Sequence, residues 1–269
     1  MNDLLPDFSL KGKIALVTGG GRGLGLAMAQ GFAAAGAEVI LASRKKGACE
    51  AAAIDITKRT GQAAHAYALH VGHWNEVEPF VEQVYADLGR VDVLVNNAGM
   101  SPVYDKLSNV TEQLWDKVMD VNLKGAFRLT ALVGERMAAG DGGSVISISS
   151  IAAVHPQPHA LPYAAAKAGL NAITVGFARA LAPKVRVNAI MAGPFLTAVA
   201  EAWSDDFASG IAADLPLQRL GVASEIVGAA LYLASPAASF TTGSVITVDG
   251  GITVPPDDAP EHEGKSLSE

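Results

Sequence analysis

The chain has 269 residues, 50% of them hydrophobic and 17% charged, enough apolar material to bury the core of one sizeable α/β domain. A formal net charge of −7 with no basic run excludes the phosphate-neutralising surface that a nucleic-acid partner requires. The lone cysteine, Cys49, excludes an internal disulfide, and without C-x-x-C or clustered histidines a metal-free site in a reducing compartment is expected.

Residues 1–13 carry Asp3, Pro6 and Asp7 without an apolar centre, so they do not read as a signal peptide. An apolar strand comes next at 13–18, then the glycine-rich run Thr18, Gly19, Gly20, Gly21, Arg22, Gly23, Leu24, Gly25, then a helical pattern over 24–35. Strand, glycine turn and helix in one βα unit suit a diphosphate. Gly19 can take the positive φ of a tight turn, Gly23 lets backbone approach the phosphates, and Gly25 lets the helix pack on the strand. The helix N-terminus then faces the anion. The spacing is G-x-x-x-G-x-G, not the strict G-x-G-x-x-G.

Further strands are expected near 38–43, 63–69, 91–95, 144–149, 185–190 and 244–248, and helices near 46–60, 75–88, 111–138, 163–181 and 224–234. This alternation predicts an α/β fold with a doubly wound parallel sheet, helices on both faces, and a ligand beyond the carboxyl ends of the strands. Residues 1–254 read as one domain and 255–269 as an acidic, mobile tail. The apolar run 187–200 is interrupted by Asn188, Gly193, Pro194 and Thr197 and is too short to span a bilayer, so a cytoplasmic protein with no membrane partner is expected.

The strand at 91–95 leads into Asn96, Asn97, Ala98 and Gly99, the helix from 111 carries Asn122, and the strand from 144 ends near Ser150. Tyr163 and Lys167 stand at i and i+4, on one face of a helix. A phenol has a reference pKa of about 10, and a neighbouring ammonium favours its ionised form, so the pair is a means of exchanging a proton with a carbonyl. Taken together, TGGGRGLG at 18–25, NNAG at 96–99, Asn122, Ser150, YAAAK at 163–167 and VDGG at 248–251 resemble the short-chain dehydrogenase/reductase family in order and approximate spacing across residues 10–252.

The resemblance implies a single-domain Rossmann fold with a mostly seven-stranded parallel sheet. It also implies an oxidoreductase that moves a hydride between a nicotinamide and a carbonyl or secondary alcohol. Tyr163 would be the general acid or base, Lys167 would lower its pKa and hold ribose hydroxyls, Ser150 would bond the substrate oxygen, and Asn122 would hold a water on a proton path. Cofactor contacts are expected from Gly19, Gly21, Arg22, Gly23, Leu24, Gly25, Ser43, Arg44, Lys45, His70, Val71, Asn97, Ala98, Gly99, Gly193 and Thr197, besides Tyr163 and Lys167. At the end of the second strand Ser43, Arg44, Lys45 and Lys46 present cations and no carboxylate, which favours the 2′-phosphate of NADP(H), with NAD(H) as the alternative.

Two departures from the family pattern stand out. His70 occupies the place where the family commonly has an aspartate beside the adenine, and the usual Pro-Gly pair is Ala192-Gly193, with Pro194 following. The expected wall of the substrate pocket includes Ser101, Ile151, His155, Phe195 and Trp203, mostly apolar, which suits a moderately hydrophobic small-molecule ketone or alcohol. Small and apolar residues on several faces of the helices from Thr111 and Tyr163 point to a homotetramer, or failing that a dimer. The other reading is a dinucleotide-binding regulator without turnover, which the intact Ser150, Tyr163 and Lys167 set disfavours.

Overall fold

Strands β1 (Ile14–Thr18) and β4 (Val93–Asn96) are buried along their whole length, as expected of apolar runs covered on both faces. The computed structural model describes residues 6–197 and 205–254, so Trp203 and the tail at 255–269 lie outside the described residues. In chain order the strands are β1, β2 (Glu38–Ser43), β3 (Ala64–Ala68), β4, β5 (Gly143–Ser150), β6 (Val185–Ala192), β7 (Phe195–Leu196), β8 (Gly221–Val222) and β9 (Val245–Val248). Seven of them form one sheet in the order β3-β2-β1-β4-β5-β6-β9, and every neighbouring pair is parallel. The order reverses between β1 and β4, which puts the ligand crevice above the ends of those two strands. β7 and β8 pair separately as a small parallel ribbon.

Helices cover both faces: α1 (Gly23–Ala34), α2 (Lys46–Thr60), α3 (Trp74–Leu88), α4 (Glu112–Met119), α5 (Gly125–Ala139), α6 (Leu161–Ala180), α7 (Asp205–Asp214) and α8 (Val227–Ala234). Alternate residues of β1 serve the two cores. Ala15 and Val17 meet Met28, Phe32, Ile56 and Leu233 on one face. Ile14 and Leu16 meet Phe80, Val84, Leu129 and Val133 on the other.

The continuous helix expected at 111–138 is divided. A π-helical turn, Asp120–Lys124, joins α4 to α5. The reason lies in packing: a Cβ on Gly125 would lie 2.3 Å from the Val71 carbonyl oxygen, so α5 starts pressed against the backbone beyond β3. The connection between β6 and β8 contains β7 and α7, with 198–204 outside the described residues.

Candidate active site

Beyond β1 the chain turns through Gly19 (φ 66°) and Gly23 (φ 55°) into α1. The first turn of α1 has neither a capping side chain nor an acidic residue, so its free N–H groups and positive dipole end face the crevice uncompensated. The backbone is packed to a limit there. A Cβ on Gly25 would sit 2.4 Å from the Gly19 carbonyl oxygen and 2.5 Å from Asn97 Nδ2. This cradle fits a dinucleotide diphosphate. Gly21 lets the loop rest on α2 at Ala48, and Arg22 is exposed at its tip.

Thr18, to which sequence reasoning gave no role, ties the cradle to β4. Its hydroxyl donates to the Val95 carbonyl at 3.1 Å and accepts from the Asn97 and Ala98 N–H groups at 3.0 and 3.1 Å. Asn97 Nδ2 donates to the Thr18 carbonyl at 2.8 Å. Asn96 points the other way, to Thr130 Oγ1 at 2.9 Å.

At the end of β2, Arg44 and Lys45 are exposed. The Ser43 hydroxyl is engaged locally, donating to the Lys45 carbonyl at 3.1 Å and accepting from Cys49 Sγ at 3.2 Å. Beyond β3, His70 Nδ1 accepts the Gly72 N–H at 3.2 Å, and the ring stacks on His73 with centroids 3.8 Å apart. Burial, then the charges of His73 and Arg44, push the His70 pKa below its ordinary value. Val71 is buried in the core toward α5.

Ser150 closes β5, and its Oγ accepts the Ala152 N–H at 3.2 Å. Tyr163 lies in the first turn of α6 and Lys167 one turn on, with Nζ 5.6 Å from the phenol ring centroid. Lys167 is almost wholly buried, and its Nζ donates to the Ile148 carbonyl at 2.6 Å. Burial lowers its pKa from 10.5 to about 8. Burial also raises the Tyr163 pKa, opposed by a hydrogen bond with Ser150. In the free protein desolvation by burial outweighs that bond, and the phenol lies above its ordinary value.

Asn122 sits in the π turn and joins it to the loop after β4. Its Oδ1 accepts the Met100 N–H at 3.1 Å, and its Nδ2 donates to the Met100 and Val118 carbonyls, each at 2.9 Å. Gly99 makes room for both neighbours: a Cβ there would be 2.9 Å from Asn122 Oδ1 and 3.8 Å from Lys167 Nζ. Ala160 gives α6 no side-chain cap, and Tyr104 supplies a substitute from another loop. Its hydroxyl accepts the Leu161 N–H at 3.0 Å and donates to the Pro158 carbonyl at 2.8 Å.

The expected substrate wall is only partly brought together. Ser101 and His155 are exposed and Ile151 is half-buried near Ser150. Phe195 is a correction: it is 8% exposed and belongs to the core, packed on Gly221, where a Cβ would meet its ring at 2.8 Å. The Ala192-Gly193-Pro194 departure is absorbed by pairing. Ala192 completes β6, the Gly193 N–H bonds the Val248 carbonyl at 2.9 Å, and the Pro194 carbonyl accepts the Gly221 N–H at 3.1 Å. Thr197 then approaches the glycine loop, 3.5 Å from where a Gly23 Cβ would lie. The Asp249 carboxylate of the terminal VDGG accepts the Gly251 and Thr253 N–H groups at 2.8 and 3.0 Å, a structural role.

Among the described residues no cluster of three or more His, Cys, Asp or Glu is placed to hold a metal, and no helix is long and apolar enough to cross a membrane. A family model described as enoyl-(acyl carrier protein) reductase matches residues 19–253. An uncharacterized oxidoreductase of Mycobacterium tuberculosis is 40% identical over 260 residues, covering 96% of this chain and 98% of the relative. The 3-oxoacyl-[acyl-carrier-protein] reductase of Escherichia coli K12 is 36% identical over 245 residues, covering 91% and 98%. The crystal structure of a gluconate 5-dehydrogenase from Burkholderia cenocepacia, in complex with NADP and tartrate, superposes with a TM-score of 0.86 at 33% identity, covering 91% and 97%. With the glycine cradle, the switch-point crevice and the Ser150, Tyr163 and Lys167 cluster at one end of one parallel sheet, these likenesses place the chain in the short-chain dehydrogenase/reductase family, enzymes that interconvert carbonyl and CH–OH groups with NAD(P).

Proposed function

We propose that this enzyme is an NADP(H)-dependent carbonyl reductase and alcohol dehydrogenase with Tyr163 as the proton donor and acceptor. The observation that carries this reading is the buried cluster at the end of β5 and the start of α6, where the phenol bonds Ser150 and lies over the Lys167 ammonium. A bound nicotinamide would supply the hydride to the carbonyl carbon, or take it from the alcohol. Ser150 donates a hydrogen bond to the substrate oxygen and fixes its position. Tyr163, stored protonated, gives its proton to that oxygen as the carbon is reduced, and recovers it in reverse from the alcohol. Lys167 stabilises the phenolate left behind. Asn122 keeps one Oδ1 lone pair beyond its bond to Met100, enough to hold a water that returns the proton toward Lys167.

The exposed Arg44 and Arg22, with no carboxylate at the end of β2, support the 2′-phosphate of NADP(H). The NADP bound to the gluconate 5-dehydrogenase relative agrees with this. The substrate class is a small ketone or secondary alcohol of moderate hydrophobicity. Fold does not choose among the acyl thioesters, sugar acids and cyclic ketones that relatives of this kind are named for. The protein is expected in the cytoplasm as a homotetramer, supported by the exposed Phe127 and Val175 on α5 and α6. A monomeric mass by light scattering would exclude that assembly.

The decisive test is a screen of carbonyls and alcohols, following NADPH and NADH absorbance in both directions, repeated with Tyr163→Phe. That change removes only the hydroxyl, so turnover should fall by roughly 10²–10⁴-fold with NADPH binding nearly intact. Near-normal turnover in the variant would refute the proton-transfer role.

A further inference from the structure

Two connections flank the catalytic cluster, one leaving β4 toward α4 and one joining β5 to α6. In the first, Met100 is fixed by Asn122 through both its N–H and its carbonyl. Further along the same loop Tyr104 reaches across to the second. Its N–H donates to the His159 carbonyl at 3.4 Å, and its hydroxyl donates to the Pro158 carbonyl at 2.8 Å and accepts the Leu161 N–H at 3.0 Å. Among the described residues every hydrogen bond between these two connections runs through Tyr104. Past it the loop closes on itself, with Asn109 Nδ2 donating to Asp105 Oδ1 at 2.6 Å.

Ser101, Pro102 and Val103 therefore form an arch pinned at both ends. One pin, at Met100, follows Gly99, where a Cβ would lie 3.8 Å from Lys167 Nζ. The other is the first turn of α6, which holds Tyr163. Pro102 fixes its own φ, so the arch has few ways to flex. The first N–H groups of a helix need partners from outside it, and a serine or aspartate just before the helix usually supplies one locally. Here Ala160 stands at that place and the partner comes from the facing loop, so the start of α6 and the arch cannot move independently.

We propose that Tyr104 is a positioning residue that clasps the arch after β4 to the first turn of α6, so that substrate meets a wall already set in place beside Tyr163. The inference rests on the carbonyl-reductase reading above and deepens it: the clasp governs KM for the carbonyl compound and not affinity for the cofactor. The glycine cradle between β1 and α1 has no bond to Tyr104 among the described residues. Removing the hydroxyl frees the Pro158 carbonyl and the Leu161 N–H together, and substrate must then order the wall as it binds.

The test compares full-length unmodified protein with Tyr104→Phe in two arms. In the first, hydrogen exchange is followed with NADPH present and no substrate. Peptides covering 101–104 and 158–163 should both exchange about tenfold faster in the variant. In the second, NADPH oxidation is measured with 2-butanone, acetophenone and 2-tetralone. KM should rise by about fivefold or more in Tyr104→Phe, with kcat changed by less than about threefold and the NADPH Kd within about twofold. Ser144→Ala deletes a hydroxyl bond to the Leu233 carbonyl at the far end of β5 and is the purely structural comparison, with KM within about twofold of the unmodified value. Faster exchange confined to 158–163, or an unchanged KM in Tyr104→Phe, would overturn the proposal and leave the reductase reading standing. Should the unmodified protein reduce none of the three ketones, the reductase reading falls for ketones of this size, and the exchange arm alone decides the clasp.

Discussion

Replacing Lys167 with methionine keeps much of the side chain's length and removes its charge, and the response to pH tests how that ammonium is held. Its pKa falls from 10.5 to about 8 in the folded, ligand-free protein because the group is buried. Between those values the unfolded chain binds the proton and the folded chain does not, so this residue adds stability as pH rises through the window. The penalty for burying the charge is present in full below pH 8. At pH 9.5, about 1.5 units above the folded value, relief at 1.36 kcal/mol per unit amounts to about 2 kcal/mol. Lys167→Met has no such term. Chemical unfolding of both proteins at pH 7 and 9.5, at one protein concentration, should therefore show the difference between them moving by about 2 kcal/mol in favour of the wild type. In a thermal melt that is about 4–8 °C. A difference constant to within about 0.5 kcal/mol would mean that Lys167 keeps an ordinary pKa, and the account of its burial would be wrong.

Arg44→Asp should reverse or abolish a preference for NADPH over NADH, by placing a carboxylate where the ribose 2′ position is read; titration of both cofactors checks this, and equal affinities in the unmodified protein would refute the role given to the cations. Gly99→Ala inserts a methyl 2.9 Å from Asn122 Oδ1 and 3.8 Å from Lys167 Nζ, so turnover should drop by at least tenfold with a folded protein by circular dichroism. Tyr104→Phe removes the substitute cap of α6 and should cost about 0.5–2 kcal/mol in denaturant unfolding, with NADPH affinity unchanged.

The parts of the site that were legible in the sequence are those where one residue type answers a local backbone demand. Gly19 and Gly25 announce themselves because a left-handed φ favours glycine and a 2.4 Å approach leaves no room for a Cβ. Tyr163 and Lys167 fall together because a helix repeats every 3.6 residues. The features that could not be read depend on distant segments. Phe195 is apolar at the end of a strand, which suits a substrate wall and a core equally, and only the ribbon with β8 turns it inward. The Ile148 carbonyl that holds Lys167 is a backbone atom and leaves no mark on sequence. The direction of the Tyr163 shift is a matter of how much water the fold removes, and that is a property of the assembled crevice. Thr18 was in plain view at the head of the glycine run, yet a strand-end threonine is common, and its three bonds to the β4 side appear only when the strands are paired.

The π turn at Asp120–Lys124 sets a rule for how this chain can change in length. A turn of that kind holds one residue more than an α-helical turn, and each residue of a helix rotates the remainder of the helix by about 100°. Deleting any one of these residues would let α4 and α5 merge, but would swing Gly125 away from the Val71 carbonyl and Leu129 and Val133 out of their core. The Asn122 amide would lose Met100 in the same movement. Exchanges of exposed side chains along the segment cost little by comparison, and the loop between Tyr104 and α4 can lengthen without turning any helix. Descendants of this sequence should therefore vary freely in length on the β4 side of α4 and hold their residue count between α4 and α5.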